Sequence, residues 1–353
     1  MIEVAGEGTM HRRLAAWLAA LSAAVVLAGG AQAQTPAEFY KGKDVRILIG
    51  AGAGGTYGLY AFLATRYMRK YIPGEPNLIV QNMPGAGGIL GMNYSYNVAP
   101  KDGTLMHLVH AEVLFETLLS PGVKFNAQNY QWIGRFADAD FIGVASKRSG
   151  VKSFEDAKKR QVTMGATGRR SVTALGPLMF NRTAGTKMKV VAGYKGTNDI
   201  YIAMERGEVD GVAVSWANAL TIHGKKMKDG ELIPFFTVAD ERIPQLPNVP
   251  TVTEFGRDDN EKTFLSLYTS SGTIGRSLVF PPGVPADRVA ALRAAYEKTI
   301  KDPAFIAELK SKNILFAPMS GEKLKAYVDK FMATPKSRIE AAGKIYNELL
   351  AMN

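Results

Sequence analysis

Val45-Arg-Ile-Leu-Ile49 is an almost unbroken apolar run, the pattern of a strand buried on both faces of a sheet, and it empties into Gly50-Ala-Gly-Ala-Gly-Gly55. Beyond the glycines, Leu59, Phe62, Leu63 and Tyr67 recur at helical spacing. The pattern predicts a strand, a glycine loop and a helix. Leu78-Ile-Val80 reads as a second short strand, followed by Met83-Pro-Gly-Ala-Gly-Gly88 and a helical stretch over 89–97. Thr104 to Val109 reads as a third, opening onto His110-Ala111-Glu112. Strands alternating with helices predict an α/β fold with a largely parallel sheet covered on both faces.

The same grammar restarts at Val162-Thr-Met164, where Gly165-Ala-Thr-Gly168-Arg-Arg-Ser171 leads into a helix carrying Val172, Leu175, Leu178 and Met179. Lys189-Val-Val191 is a strand, and Asn198 or Asp199 is a plausible cap for a helix over 200–206 with Ile200, Ala203 and Met204 on one face. Gly207 ends that helix, and Val209 to Val214 forms the next strand. Pro234, Pro244, Pro247 and Pro250 break the rhythm and predict a crossing or surface connection over 234–250. Helices follow, starting near Pro285, Asp302-Pro303 and Ser320. Two lobes of similar design are expected.

At the amino end, Arg12-Arg13, the apolar run Leu14 to Ala28 and Ala31-Gln-Ala33 form a charged segment, an apolar segment and a small-x-small cleavage site. Residues 1–33 are therefore expected to be a signal peptide cleaved near Ala33; an uncleaved anchor is the alternative. The segment holds two arginines and two glutamates, so removing it leaves the net charge at +11. A basic chain favours acidic partners without choosing among them. Zero cysteines exclude disulfides, thiolate metal sites and cysteine nucleophiles.

Gly50-x-Gly52-x-x-Gly55 matches the dinucleotide fingerprint formally, but the position of the ribose-binding acid holds Gln81-Asn82. What survives is an anion cradle of backbone N–H groups at a helix start, helped by Thr56, or else a glycine turn that serves only packing. Gly165 to Ser171 repeats the device and adds Arg169 and Arg170, read either as a carboxylate clamp or as solvated charges. His110 and Glu112 share a side of the chain but are too few for a catalytic zinc site, and His107 points the other way. His223 is expected to be exposed. Asp138 and Asp140 are a candidate carboxylate pair, and no hydrolase motif occurs. No basic run with interleaved aromatics supports nucleic-acid binding. No cofactor or metal is expected.

Several stretches together resemble one family. Val45 to Gly55, Val80 to Gly88, Ala99-Pro-Lys-Asp-Gly-Thr104, Tyr194-Lys-Gly196, Gly207-Glu-Val-Asp-Gly211, Leu246-Pro-Asn-Val-Pro-Thr251 and Phe280-Pro-Pro-Gly-Val-Pro285 are similar to the substrate-binding proteins of tripartite tricarboxylate transporters, the TctC or Bug family. The resemblance implies a type II-like, two-lobe periplasmic binding protein that closes like a flytrap over a small carboxylate in the cleft between its lobes. It places in the site Ala53, Gly54, Gly55, Thr56, Tyr57, His110 and Ala111 from the first lobe. From the second it places Thr167, Gly168, Arg169, Arg170, Ser171, Tyr194, Ser215 and Trp216. Where many members carry an aspartate, this chain has Tyr57-Gly58, which disfavours a ligand whose amino group needs that acid, and the Arg169-Arg170 pair points to a ligand with more than one acidic group. Residues 35–141 with 241–353 are expected to form one lobe and 142–240 the other, with hinges at Phe141–Ser146 and Phe235–Asp240. A monomer that delivers its ligand to membrane components of a transporter follows, and no catalysis. The rivals are an exported hydrolase or lyase using His110 and Glu112, and a sensor for a membrane kinase.

Overall fold

The computed structural model describes residues 34–352, apart from Ala53 and Pro121. The expected signal peptide and Ala53 lie outside the described residues. No described helix is long and apolar enough to cross a membrane.

Among the described residues eleven strands form two sheets: β1 (Asp44–Ile49), β2 (Asn77–Asn82), β3 (Leu105–Val109), β4 (Gln131–Arg135), β5 (Phe141–Ser146), β6 (Val162–Ala166), β7 (Met188–Ala192), β8 (Gly211–Ser215), β9 (Leu232–Val238), β10 (Ser277–Phe280) and β11 (Met319–Ser320). The first sheet runs β11-β4-β10-β3-β1-β2 and the second β7-β6-β8-β5-β9. In each, three parallel strands come first (β2-β1-β3 and β7-β6-β8), then an antiparallel strand (β10 or β5), then its antiparallel neighbour (β4 or β9). The sheets are therefore mixed, not largely parallel. The reason lies in the chain path: β4 hands the chain to β5 in the second sheet, and β9 hands it back toward β10 in the first. Each returning strand enters its sheet from the far side and runs against the parallel trio.

The segments expected as hinges, Phe141–Ser146 and Phe235–Asp240, are mostly strand, paired as β5 and β9. Crossing occurs just before β5, through Phe136–Asp140, and after Val238. Pro234, expected to end the strand pattern, sits inside β9 beside a register shift opposite Gly143 and Val144. Because β9 is an edge strand, the missing N–H costs no ladder bond on its open side.

Burial of β1 follows its apolar run: Val45, Ile47, Leu48 and Ile49 are fully buried, with Ile47 and Ile49 packing among Tyr60, Leu63, Met106, Leu108, Leu278 and Phe280. A second cluster around Phe180 and Phe236 gathers Phe115, Phe264, Tyr268, Ile345 and Tyr346. Helices Asp259–Ser271 and Lys336–Ala351 thus share a core with the helix Val172–Ala184 behind the second sheet.

Candidate functional site

The loop after β1 ends at Gly55, the N-cap of the helix Thr56–Met68, and no side chain caps that helix start. Its first N–H groups are left for another acceptor, at the positive end of the helix dipole. His110 decides which glycines of the motif are steric necessities. A Cβ at Gly50 would lie 2.9 Å from its Nε2, and one at Gly88 would lie 2.8 Å from its ring. The glycine runs after β1 and β2 therefore make room for one imidazole. By contrast a Cβ at Gly55 would meet nothing within 4 Å. Gly50 serves packing, whereas Gly55 opens onto free space beside the uncapped helix start.

Tyr57 stacks on His110 at 4.3 Å between ring centres. Its hydroxyl accepts from the Ala111 N–H at 3.2 Å, and burial pushes its pKa up to about 12. His110 is pushed down to about 4 by burial and by Arg276, so the ring is neutral at physiological pH. Arg276, at the entry to β10, lies beneath this floor with 1% exposure. It donates to the Asp138 carbonyl at 2.7 Å and to Thr56 Oγ1 at 3.3 Å, and its guanidinium lies 5.2 Å from the Tyr57 ring centre.

The loop after β6 ties itself together. Thr167 N–H donates to Thr173 Oγ1 at 3.0 Å, Thr167 Oγ1 donates to Ser171 Oγ at 3.1 Å, and Ser171 Oγ donates to the Gly168 carbonyl at 2.7 Å. Ser171 precedes the helix Val172–Ala184 without capping it by a side-chain bond. Glu112, half-buried on the loop after β3, reaches the Val172 N–H, yet desolvation outweighs that bond and pushes its carboxyl up to about 7. The loops of the two sheets also meet where Asn198 Nδ2 donates to the Gly54 carbonyl at 3.3 Å. Asn198 was expected to cap the 200–206 helix. The N-cap is Gly196, the helix is Thr197–Arg206, and the freed amide spans to the other loop.

Tyr57 joins His110 and Ala111 beside Gly54 to Thr56, and Thr167, Gly168 and Ser171 are linked among themselves on the loop after β6. Arg169 and Arg170 are engaged elsewhere. Arg169 donates to the Leu350 carbonyl at 2.8 Å and to that of Met352. Arg170 donates to Ser120 Oγ at 2.6 Å and lies 3.9 Å from Glu116. Both guanidiniums fasten the loop to the last helix and to the helix Val113–Leu119. Replacing both with alanine is accordingly expected to lower stability by about 1 kcal/mol, read by urea unfolding, and to leave carboxylate affinity within about threefold of wild type. A much larger affinity loss at unchanged stability would return them to the ligand.

Tyr194 is half-buried on the loop after β7; Ser215 caps the helix Trp216–Lys228 by accepting from the Asn218 N–H, and Trp216 is buried in the second lobe's core. His107 lies inside β3 with Nδ1 against Ser95 Oγ at 2.9 Å. His223, expected to be exposed, is half-buried against Tyr201, because its amphipathic helix turns it toward that ring. Among the described residues, no group of three metal-ligating side chains converges. Asp138, Asp140 and Asp240 cluster where the chain crosses between sheets, and burial, with the other two acids, pushes Asp140 up to about 6. Sequence reasoning missed Arg276 and the bridging role of Asn198.

Comparisons with known proteins place the chain by family and by fold. The family model described as the tripartite tricarboxylate transporter family receptor matches residues 66–343. A UPF0065 protein of Agrobacterium vitis is 28% identical, with 94% of this chain and 91% of that protein covered. Among solved structures, the periplasmic binding protein BugD superposes with a TM-score of 0.66 at 19% identity, over 88% of this chain and 98% of that one. The MatC protein of Rhodopseudomonas palustris with bound malate gives 0.64 at 21% identity over 85% and 99%. A second R. palustris protein, with adipate, gives 0.65 at 17% over 85% and 97%. These structural likenesses establish a two-lobe periplasmic binding fold.

Proposed function

The chain belongs to the tripartite tricarboxylate transporter receptor family, and from that premise we propose that it is a periplasmic solute-binding protein that captures a small dicarboxylate in the cleft between its lobes and delivers it to membrane components of such a transporter. Residues 35–141 with 241–353 are taken as one lobe and 142–240 as the other, with the helices Asp259–Ser271 and Lys336–Ala351 packing across onto the second. The observation that carries the reading is the start of the Thr56–Met68 helix, which has no side-chain cap and whose loop is reached by Asn198 from the second sheet, together with the like-built start of the helix Val172–Ala184 after β6. Such starts favour anions, and each lobe supplies contacts the other lacks. Closure then follows from the ligand's higher affinity for the closed form. The neighbours that hold malate and adipate support a ligand with two carboxylates.

Gly54 to Tyr57, His110, Ala111, Thr167, Gly168 and Ser171 form the ligand-facing set, with Tyr194 on the wall. A hydrolase or lyase built on His110 is disfavoured, since a ring that titrates near 4 is a weak base. Calorimetric titration of the protein without residues 1–33 with malate, adipate and a tricarboxylate tests the proposal, followed by mass spectrometry of the recovered ligand. Saturable binding with the ligand returned unchanged is expected. Chemical conversion of the ligand would sustain the enzyme reading, and no binding of any of the three would remove this one.

A further inference from the structure

We propose that Arg276 sets the cleft's preference for carboxylates by keeping the Thr56 hydroxyl a hydrogen-bond donor. This rests on the proposed binding function and assigns a specificity-determining role within it. The argument is one of donors and acceptors. A guanidinium has only N–H donors, so the 3.3 Å contact from Arg276 Nη2 to Thr56 Oγ1 makes the threonine oxygen the acceptor. The hydroxyl's own hydrogen is then left over. Thr56 is the first residue of its helix and has no carbonyl one turn back within that helix, and among the described residues its hydroxyl has no other hydrogen-bond partner.

Tyr57 repeats the logic. Its oxygen accepts from the Ala111 N–H at 3.2 Å, its hydrogen has no acceptor among the described residues, and the phenol stays protonated throughout the physiological range. Two adjacent hydroxyls thus each accept one hydrogen bond from the protein and each keep a hydrogen to donate, next to uncapped helix N–H groups that are donors by nature. A carboxylate, which only accepts, satisfies such a surface fully. A carboxamide of the same shape replaces one accepting oxygen with an NH2, for which this surface offers at most the second lone pair of a hydroxyl already facing the Arg276 guanidinium.

Arg276 is built for this task more than for packing. It is 1% exposed and its Nε has no partner; Glu112 and Asp140 feel its charge without forming an ion pair with it among the described residues. A buried cation without a close counter-ion is costly, and a bound carboxylate at the neighbouring cradle would offset that cost. The guanidinium sits between the Asp138 carbonyl on the crossing segment and Thr56 on the cradle, so it ties the donor geometry to the path between the sheets. It acts on the ligand through Thr56 and is a positioning residue.

The test compares acid with amide. Affinities for adipate and adipamide are measured by calorimetry in wild type, Arg276→Gln and Thr56→Val. Wild type is expected to prefer adipate by at least about a hundredfold. Each variant should lose about ten- to a hundredfold in adipate affinity with little change for adipamide, and the double variant should lose little more than either single one. A parallel fall for acid and amide in Arg276→Gln would mean a merely structural role and overturn the proposal. So would additive losses, or an unaltered preference in Thr56→Val, which is isosteric and remains informative if Arg276→Gln does not fold. Wild type that binds neither adipate, malate nor a tricarboxylate would overturn the binding function itself, an outcome distinct from wild type and variants binding alike.

Discussion

Gly55→Leu should abolish carboxylate binding, by at least about a hundredfold or roughly 3 kcal/mol, in a protein whose unfolding free energy falls by no more than about 1 kcal/mol. The two halves of this expectation have separate physical sources. Gly55 has φ −102° and ψ −177°, an extended conformation that any residue adopts, and an added Cβ would meet nothing within 4 Å. Folding therefore asks nothing special of glycine here, apart from a small N-cap preference over leucine. The open space, however, lies between the Gly54 carbonyl that Asn198 reaches from the other lobe and the first N–H groups of the Thr56–Met68 helix. A leucine side chain there would cover the donors and hold the lobes apart. Parallel calorimetry and urea unfolding separate the outcomes: wild-type affinity in a folded variant would place the ligand away from this cradle, and an unfolded variant would show that the apparent space is needed by the fold.

Much of this arrangement is legible along the chain, and the limits have identifiable causes. The run Val45 to Ile49 announces β1 because each residue prefers burial on a two-sided sheet, and the switch to glycine announces the turn before the helix. The mixed character of the sheets is not legible. Strand direction depends on which sheet the chain enters after a crossing, and Phe141 to Ser146 carries the same apolar signature whether it runs with or against β8. Asn198 reads as a cap because Asn caps helices, but Gly196 takes that position and leaves the amide to bridge the loops. Arg169 and Arg170 look like a clamp beside a helix start; their acceptors, Leu350, Met352 and Ser120, are far away in sequence. Arg276 is silent for the same reason. Its partner Thr56 is 220 positions away, and a lone arginine before a strand carries no pattern.

The turn that aims Arg276 is expected to be the least tolerant position near the cleft, and Gly275→Ala should leave most of the protein unfolded or unrecoverable on expression. Gly275 has φ +38° with ψ −120°, a region that essentially only glycine enters. An alanine Cβ there would stand 1.9 Å from the Ala137 carbonyl oxygen and 2.6 Å from the Asp138 Cα, both backbone atoms that cannot rotate away. Those atoms are held by the pairing of the crossing segment with the approach to β10: Arg276 N–H donates to the Ala137 carbonyl at 2.8 Å, and Phe136 N–H to the Arg276 carbonyl at 3.0 Å. Relief of the clash must break that pairing and lift the guanidinium from Thr56. Strain and lost hydrogen bonds together put the cost above about 4 kcal/mol, a large part of a typical domain's stability. Gly185→Ala is the matched control. Gly185 also has positive φ, at +68°, but it ends a helix in the left-handed conformation with nothing within 4 Å of the added carbon, so its cost should be about 1 kcal/mol. Urea midpoints for the two variants decide the matter: equal, small losses would mean that the segment between Phe136 and Asp140 yields freely, and then the crossing could not hold Arg276 in register with the cradle.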